Sequence, residues 1–257
     1  MDELVLKNLA NSILGSVENC VSGRGKTGVM FSGGIDSTLI AFLSKKFDPN
    51  TRLCTIGTEG SQDLEWARRI AGEIGLSEKL RVKVLGEKEV MDAYHEVREI
   101  LKTEHLLSIE LGIAVLLCSR IAKEEGVGKL LSGHGADELF GGYSKYPSGF
   151  ASGKDVSKMM GEDLESAISK DIKESELIAG GEGIEIGFPF LAKEVIELAL
   201  EIPISEHFEG EARKPVLREA ARVLGLPEVA RGRPKKAMQY GSGIHKILSK
   251  RQSLISR

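Results

Sequence analysis

The 257-residue chain predicts an α/β fold: a parallel twisted sheet with helices on both faces, then a mainly helical C-terminal part. Three observations predict it. Short apolar runs alternate with stretches of helical periodicity from Leu4 to Leu131. Two glycine-rich loops, Ser32-Gly33-Gly34-Ile35-Asp36-Ser37 and Ser132-Gly133-His134-Gly135-Ala136-Asp137, each follow such a run. After Tyr143 the strand pattern stops and helical spacing takes over. Residues 1–150 are expected to form the α/β core, and residues 151–257 a helical part of the same single domain.

Leu4, Leu9, Ile13, Val17 and Val21 recur near helical spacing and predict an amphipathic first helix. Ser22 to Gly28 reads as a loop, and Gly28 to Phe31 as a short buried strand. The first signature loop then opens a helix to about Lys46. Arg52–Ile56 predicts the second strand. Ser61–Ile74 predicts a helix capped by Ser61, with Asp63 in an acidic first turn that suits the helix dipole. Leu80–Leu85 reads as the third strand, Glu87–Leu101 as a helix, Ser108–Glu125 as a long helix ended by Gly126, and Lys129–Leu131 as the fourth strand. Ser144–Lys154, rich in Gly, Ser and Pro, reads as a loop. Helices are expected over 163–178, 192–201, 212–224 and 243–250.

Composition narrows the class. Hydrophobic residues make up 41% and charged residues 28%, ordinary for a globular protein, and aromatics only 5%, so the core must be mostly aliphatic. Cys20, Cys54 and Cys118 form no CxxC pair, which argues against a disulfide framework or a zinc site and suits a reducing cytoplasmic setting. No stretch approaches the roughly 18–20 apolar residues of a membrane span. The net charge of -3 argues against a dedicated nucleic-acid binder, although the segment after Arg213 is strongly enriched in Lys and Arg.

The first loop has the chemistry of an anion site. Gly33 and Gly34 let the backbone turn tightly and approach a ligand, and the following helix presents unpaired N–H groups at its positive end. Ser32 and Ser37 add hydroxyl donors. Asp36 would repel a phosphate unless a cation intervened, which makes it a Mg²⁺ ligand, and Asp137 in the second loop can complete a two-carboxylate site. Gly25-Lys26-Thr27 mimics the end of a Walker A loop. Its first glycine would fall on Cys20, and it precedes rather than follows the strand, so a turn before the strand explains it.

At these residues the chain resembles a known family. SGGIDS is similar to the pyrophosphate loop (PP-loop) of the N-type ATP pyrophosphatases. Ser132 to Tyr143, SGHGADELFGGY, is similar to the second signature of the asparagine synthetase synthetase domain. Shorter matches follow in the same order: Gly57 to Asp63, Ile184 to Leu191, Lys214 to Glu219 (resembling a KxxLRE helix), and Pro234 to Ala237 followed by Gly241 to Gly243. The resemblance spans Gly28 to Gly243. It implies a PP-loop, adenine nucleotide α-hydrolase-like fold and an ATP-dependent carbon–nitrogen ligase. Such an enzyme adenylates a substrate carboxylate, aspartate or a related acid, releases pyrophosphate, and lets ammonia displace AMP to give an amide. It further implies ATP and Mg²⁺ as cofactors. The expected metal ligands are Asp36 and Asp137. The expected ATP-binding residues are Met30, Ser32, Gly33, Gly34, Asp36, Ser37, Ile56, Ser132, Gly133 and Lys235, with Lys235 also the catalytic contact to the α-phosphate.

The acceptor half departs from the family. His134 stands where bacterial asparagine synthetases have a glutamate. It can act as a general base, grip an anionic acceptor, or only pack. Gly187 and Ala192 replace an arginine and an aspartate, and Glu110 falls near another arginine position. Residue 2 is Asp2, and the first core strand comes too early for a preceding glutaminase domain. Ammonia is therefore expected to be free or delivered by a separate glutaminase; a homo-oligomer is compatible with the same reading. The alternatives are a PP-loop ATP pyrophosphatase acting on another carboxylate or an RNA base, and a nucleotide-binding regulator without catalysis.

Overall fold

The strand that carries the first signature loop, β1 (Lys26–Met30), is the middle strand of a five-stranded parallel sheet. β2 (Arg52–Thr58) pairs with one side of it and β3 (Leu80–Leu85) lies beyond. β4 (Val127–Leu131) pairs with the other side and β5 (Glu185–Gly187) completes the order β3-β2-β1-β4-β5. The computed structural model describes residues 2–22, 25–209, 212–233 and 236–255. Helix α1 (Glu3–Val21) precedes β1, and helices α2 (Ile35–Phe47), α3 (Gln62–Glu73), α4 (Glu87–Leu101) and α5 (Leu106–Glu124) connect β1 to β4. The chain winds outward through β1, β2 and β3, then returns through α4 and α5 to the far side of β1. The reversal makes a topological switch point between β1 and β4, and the two signature loops leave the carboxyl ends of those two strands.

Alternation sorts the strand residues onto two faces. Val29, Leu53 and Leu131 pack with α1, α2 and α3, while Cys54, Ile56, Leu85 and Leu130 pack with α4 and α5. Both faces are covered, as a parallel sheet requires. On α1, Leu6 is buried with Leu9, Ile13, Val17 and Val21, whereas Leu4 is exposed. Among the described residues no single helix is long and apolar enough to cross a membrane.

Several sequence expectations need correction. Lys26 and Thr27 belong to β1 itself, so the Walker-like run is strand rather than turn. The long helix begins at Leu106, because the His105 side chain caps it by accepting from Ser108 N. The strand pattern does not stop at Tyr143: β5 is three residues long, too short for alternation to show. The segment 144–154, expected as a loop, contains α7 (Lys145–Ala151), after the single turn α6 (Ala136–Leu139). Tyr146 holds α7 down. It is fully buried against Val156 and Met160, and its hydroxyl donates to Asp163 Oδ2 at 2.5 Å.

The following helix starts earlier than expected, as α8 (Val156–Ser166), and passes through a π-helical segment (Ala167–Asp171) into α9 (Ile172–Gly181). After α10 (Lys193–Glu201), the expected helix over 212–224 starts only at Pro215. Residues 212–213 instead form β7 (Ala212–Arg213), paired with β6 (Phe208–Glu209), before α11 (Pro215–Val223). The cause is Pro215, whose ring disfavours the right-handed helical region for Lys214 and suits the first position of α11 itself. Lys214 is left-handed, with φ 57° and ψ 46°. The described chain ends with α12 (Glu228–Arg231), α13 (Met238–Gly241) and α14 (Ile244–Ile255).

Candidate active site

The first loop is built by its own small residues. Gly33 has φ 74°, and a Cβ there would stand 2.8 Å from the Trp66 carbonyl carbon and oxygen, so only glycine fits against α3. Gly34 N donates to Ser32 Oγ at 3.2 Å, and the Ser37 hydroxyl donates to Gly34 O at 3.3 Å. These bonds hold the turn at the start of α2, with Asp36 in its first turn.

The second loop lies directly against the first. A Cβ on Gly133 would be 3.0 Å from the Asp36 Cβ. Ser132 N donates to Gly187 O of β5 at 2.9 Å, which fixes the loop where it leaves the sheet. The two aspartates converge on one cation from this chain. Lys214 Nζ is 2.6 Å from Asp36 Oδ1 and 2.7 Å from Asp137 Oδ1. The lysine side chain is only 1% exposed, against 17% and 21% for the two carboxylates. Burial works against its charge, yet the two carboxylates outweigh burial and hold its pKa above the ordinary lysine value. Gly142 makes room for the lysine stem, since a Cβ there would collide with Lys214 Cε and Asp137.

That shared ammonium is a stand-in ion, and it shows that the pair is arranged to hold a cation. Two carboxylates that converge on one cation suit Mg²⁺, which completes its shell with phosphate oxygens and water. Among the described residues no group of three or more His, Cys, Asp or Glu could hold a metal by itself.

A second ion pair fastens the C-terminal segment to the first loop. Arg233 donates to the Ser32 carbonyl and to Asp63 Oδ1, and lies 5.8 Å from the Trp66 ring centroid. Arg218 holds it from behind, donating to Arg233 O at 3.1 Å and to Arg213 O at 2.9 Å. The expectation for Lys235 lies outside the described residues. Met30 and Ile56, expected beside adenine, belong to one apolar cluster at adjacent strand ends.

His134 sits at the margin. Its Nδ1 is 2.6 Å from Ser132 Oγ, and its ring meets Phe188 edge-on at 5.8 Å. Burial raises the pKa of Asp171, and the fields of His134, Lys170 and His105 partly offset that rise. Glu110, in the first turns of α5, is buried and pairs with His245 Nδ1 at 2.7 Å. α5 runs antiparallel to the strand it feeds, so Glu110 lies at the same edge of the sheet as the two loops. Burial raises the pKa of Glu110, and the His245 contact offsets this only in part. Its folded pKa therefore exceeds its unfolded one. The associated stability is fully present below the unfolded pKa and is lost as pH rises through the folded value. Glu110→Gln should thus gain in melting temperature over the wild type as pH rises from about 4 to about 7. A difference in melting temperature that stays constant over that range would refute this.

Sequence reasoning missed three residues here. Lys214 and Asp63 lay in recognised motifs but had no role at the site, Asp63 being read besides as a helix-dipole residue, and Arg233 was not singled out. The one signal was the lysine before a proline, which marks a backbone that cannot continue as helix.

A five-stranded parallel sheet whose switch point carries two abutting glycine-rich loops and a convergent pair of aspartates defines a class: α/β proteins that take a ligand beyond their strand ends. Residues 8–152 and 147–255 match the asparagine synthase family profile, and the chain belongs to that family. It is 33% identical over 276 residues to a putative asparagine synthetase [glutamine-hydrolyzing] 1 of Methanocaldococcus jannaschii, covering 94% of this chain and 50% of that protein. It is 26% identical over 260 residues to asparagine synthetase B [glutamine-hydrolyzing] of Escherichia coli, covering 94% and 46%. The chain thus spans about half the length of the curated relatives it matches. Among solved structures it is similar to the U34-tRNA thiolase NcsA of Methanococcus maripaludis, at 16% identity and a TM-score of 0.43, covering 100% of this chain and 82% of that one.

Proposed function

We propose that this chain is an ATP-dependent ligase that transfers AMP to a substrate carboxylate, releases pyrophosphate, and forms an amide with ammonia. The observation that carries the reading is the convergence of Asp36 and Asp137 on one cation at the switch point. Met30 and Ile56 would flank the adenine, and Ser132 and Gly133 the ribose and α-phosphate. The pyrophosphate end would lie over Ser32, Gly33, Gly34 and Ser37, against the N-terminal N–H groups of α2. Asp36 and Asp137 would hold Mg²⁺, which when bound neutralises charge on the departing pyrophosphate. Lys235 would contact the α-phosphate as negative charge grows there. His134, on the Ser132 hydroxyl at the rim, would face the acceptor.

A second reading concerns the acceptor alone. Glu110 places a buried carboxyl group at the same edge, where the family resemblance puts an arginine, and a carboxylic acid other than aspartate would then be the substrate. The ammonia source would be free ammonium or a separate glutaminase.

One assay tests the class and the acceptor together. The protein is incubated with ATP, Mg²⁺ and ammonium across a panel of carboxylic acids, and the nucleotide products are separated. The expected products are AMP and pyrophosphate, dependent on one acid of the panel. ADP and inorganic phosphate would overturn the reading.

A further inference from the structure

Lys214 fills the point between the two expected metal ligands, and its position is built rather than incidental. Its backbone is left-handed, a conformation that only Lys102 shares among the described non-glycine residues. Pro215 fixes that turn from one side, and α11 begins on the Lys214 carbonyl, which accepts from Arg218 N at 3.0 Å. The stem then passes Gly142 through a gap that a methyl group would close. The ammonium arrives from the protein interior, while both carboxylates keep a partly solvent-facing side.

We propose that Lys214 is the resident counter-ion of the Asp36–Asp137 pair and bars a divalent cation from that pair until nucleotide phosphates arrive. The inference rests on the proposed ATP chemistry for its second half only. A Mg²⁺ ion held by both carboxylates, at about 2.0–2.1 Å from its oxygens, would share them with the Lys214 ammonium now on their Oδ1 atoms. Binding it alone crowds the buried ammonium or forces it off, and a buried cation stripped of its carboxylates is strongly destabilising. Repulsion between an ammonium and a doubly charged ion is also twice that between two single charges at the same distance. A metal–triphosphate complex changes both conditions. The phosphates complete the metal's shell, and their remaining oxygens give the ammonium new anionic partners. The cation therefore enters as its nucleotide complex, and the nucleotide-free pair stays partly neutralised by the chain itself.

Mn²⁺ binding, read from the loss of the free-ion electron paramagnetic resonance signal, tests this without turnover. The samples are the wild type and Lys214→Met, each with and without α,β-methylene ATP, and the analogue without protein gives the Mn²⁺ it chelates by itself, which is subtracted. The wild type should bind Mn²⁺ weakly alone and at least about tenfold more tightly with the analogue. Lys214→Met should bind Mn²⁺ alone at least about tenfold more tightly than the wild type does. Tight Mn²⁺ binding by the nucleotide-free wild type overturns the proposal, and so does a Lys214→Met protein that gains no affinity. If that variant does not fold, Lys214→Gln takes its place, and the wild-type comparison still decides. Failure of the wild type to bind the analogue at all would sink the ATP reading instead, and the nucleotide-free comparison would still judge Lys214.

Discussion

Asp63→Ala should destabilise the protein by about 3–5 kcal/mol, more than a typical single substitution. The Asp63 and Arg233 side chains are 4% and 3% exposed, so the aspartate is the anionic partner of a guanidinium almost wholly removed from water. Truncating it leaves that charge buried against Trp66 and the Ser32 carbonyl, with neither water nor carboxylate to neutralise it. The loss is not the worth of the pair itself. Replacing both partners by apolar residues of similar volume, as in Asp63→Leu with Arg233→Met, should cost far less than Asp63→Ala alone. Urea unfolding of the wild type, the single variants and the double variant measures both quantities, provided the slope with denaturant is unchanged. A double variant as unstable as Asp63→Ala would mean that packing around Trp66, rather than charge, holds the segment.

Lys235→Ala should lower the rate of pyrophosphate release by about 100–1000-fold, the usual cost of removing one preorganised donor from a developing oxyanion. Because the contact would be made as charge grows on the α-phosphate, kcat and kcat/KM for ATP should fall together. Lys235→Arg should restore only part of the rate, since a planar fork does not replace a point charge at a crowded phosphorus. Single-turnover measurement of pyrophosphate release separates this step from product release. A decrease of less than about fivefold would remove Lys235 from the chemistry.

The α/β half of the protein was legible in its sequence because its signals are local. A strand of five to seven residues followed by a glycine turn and a helix is visible within a short window, and β1, β2, β3 and β4 all appear where expected. The loops announced themselves through glycines that only close contact explains, such as Gly33 against Trp66. What was missed depends on distant partners. β5 is a strand only because Lys129, Leu130 and Leu131 pair with it. Residues 145–151 form a helix because Tyr146 finds Asp163 and a small apolar cluster. Asp63 looked like a first-turn acid, and nothing within its own helix points to an arginine 170 residues later. Lys214 likewise gains its meaning from two loops far upstream, with no periodicity to advertise it.

Those long separations also bear on how the molecule comes into being. Lys214 meets Asp36 across 178 residues, and Arg233 meets Ser32 across 201. During synthesis, domains generally fold as units and the N-terminal portion emerges first, yet contacts between remote parts of the chain are slow to form. A chain stopped between Asp137 and Lys214 would carry both aspartates without the lysine that bridges them and without α11. Under the proposed chemistry such a truncated product should be inert rather than partly active.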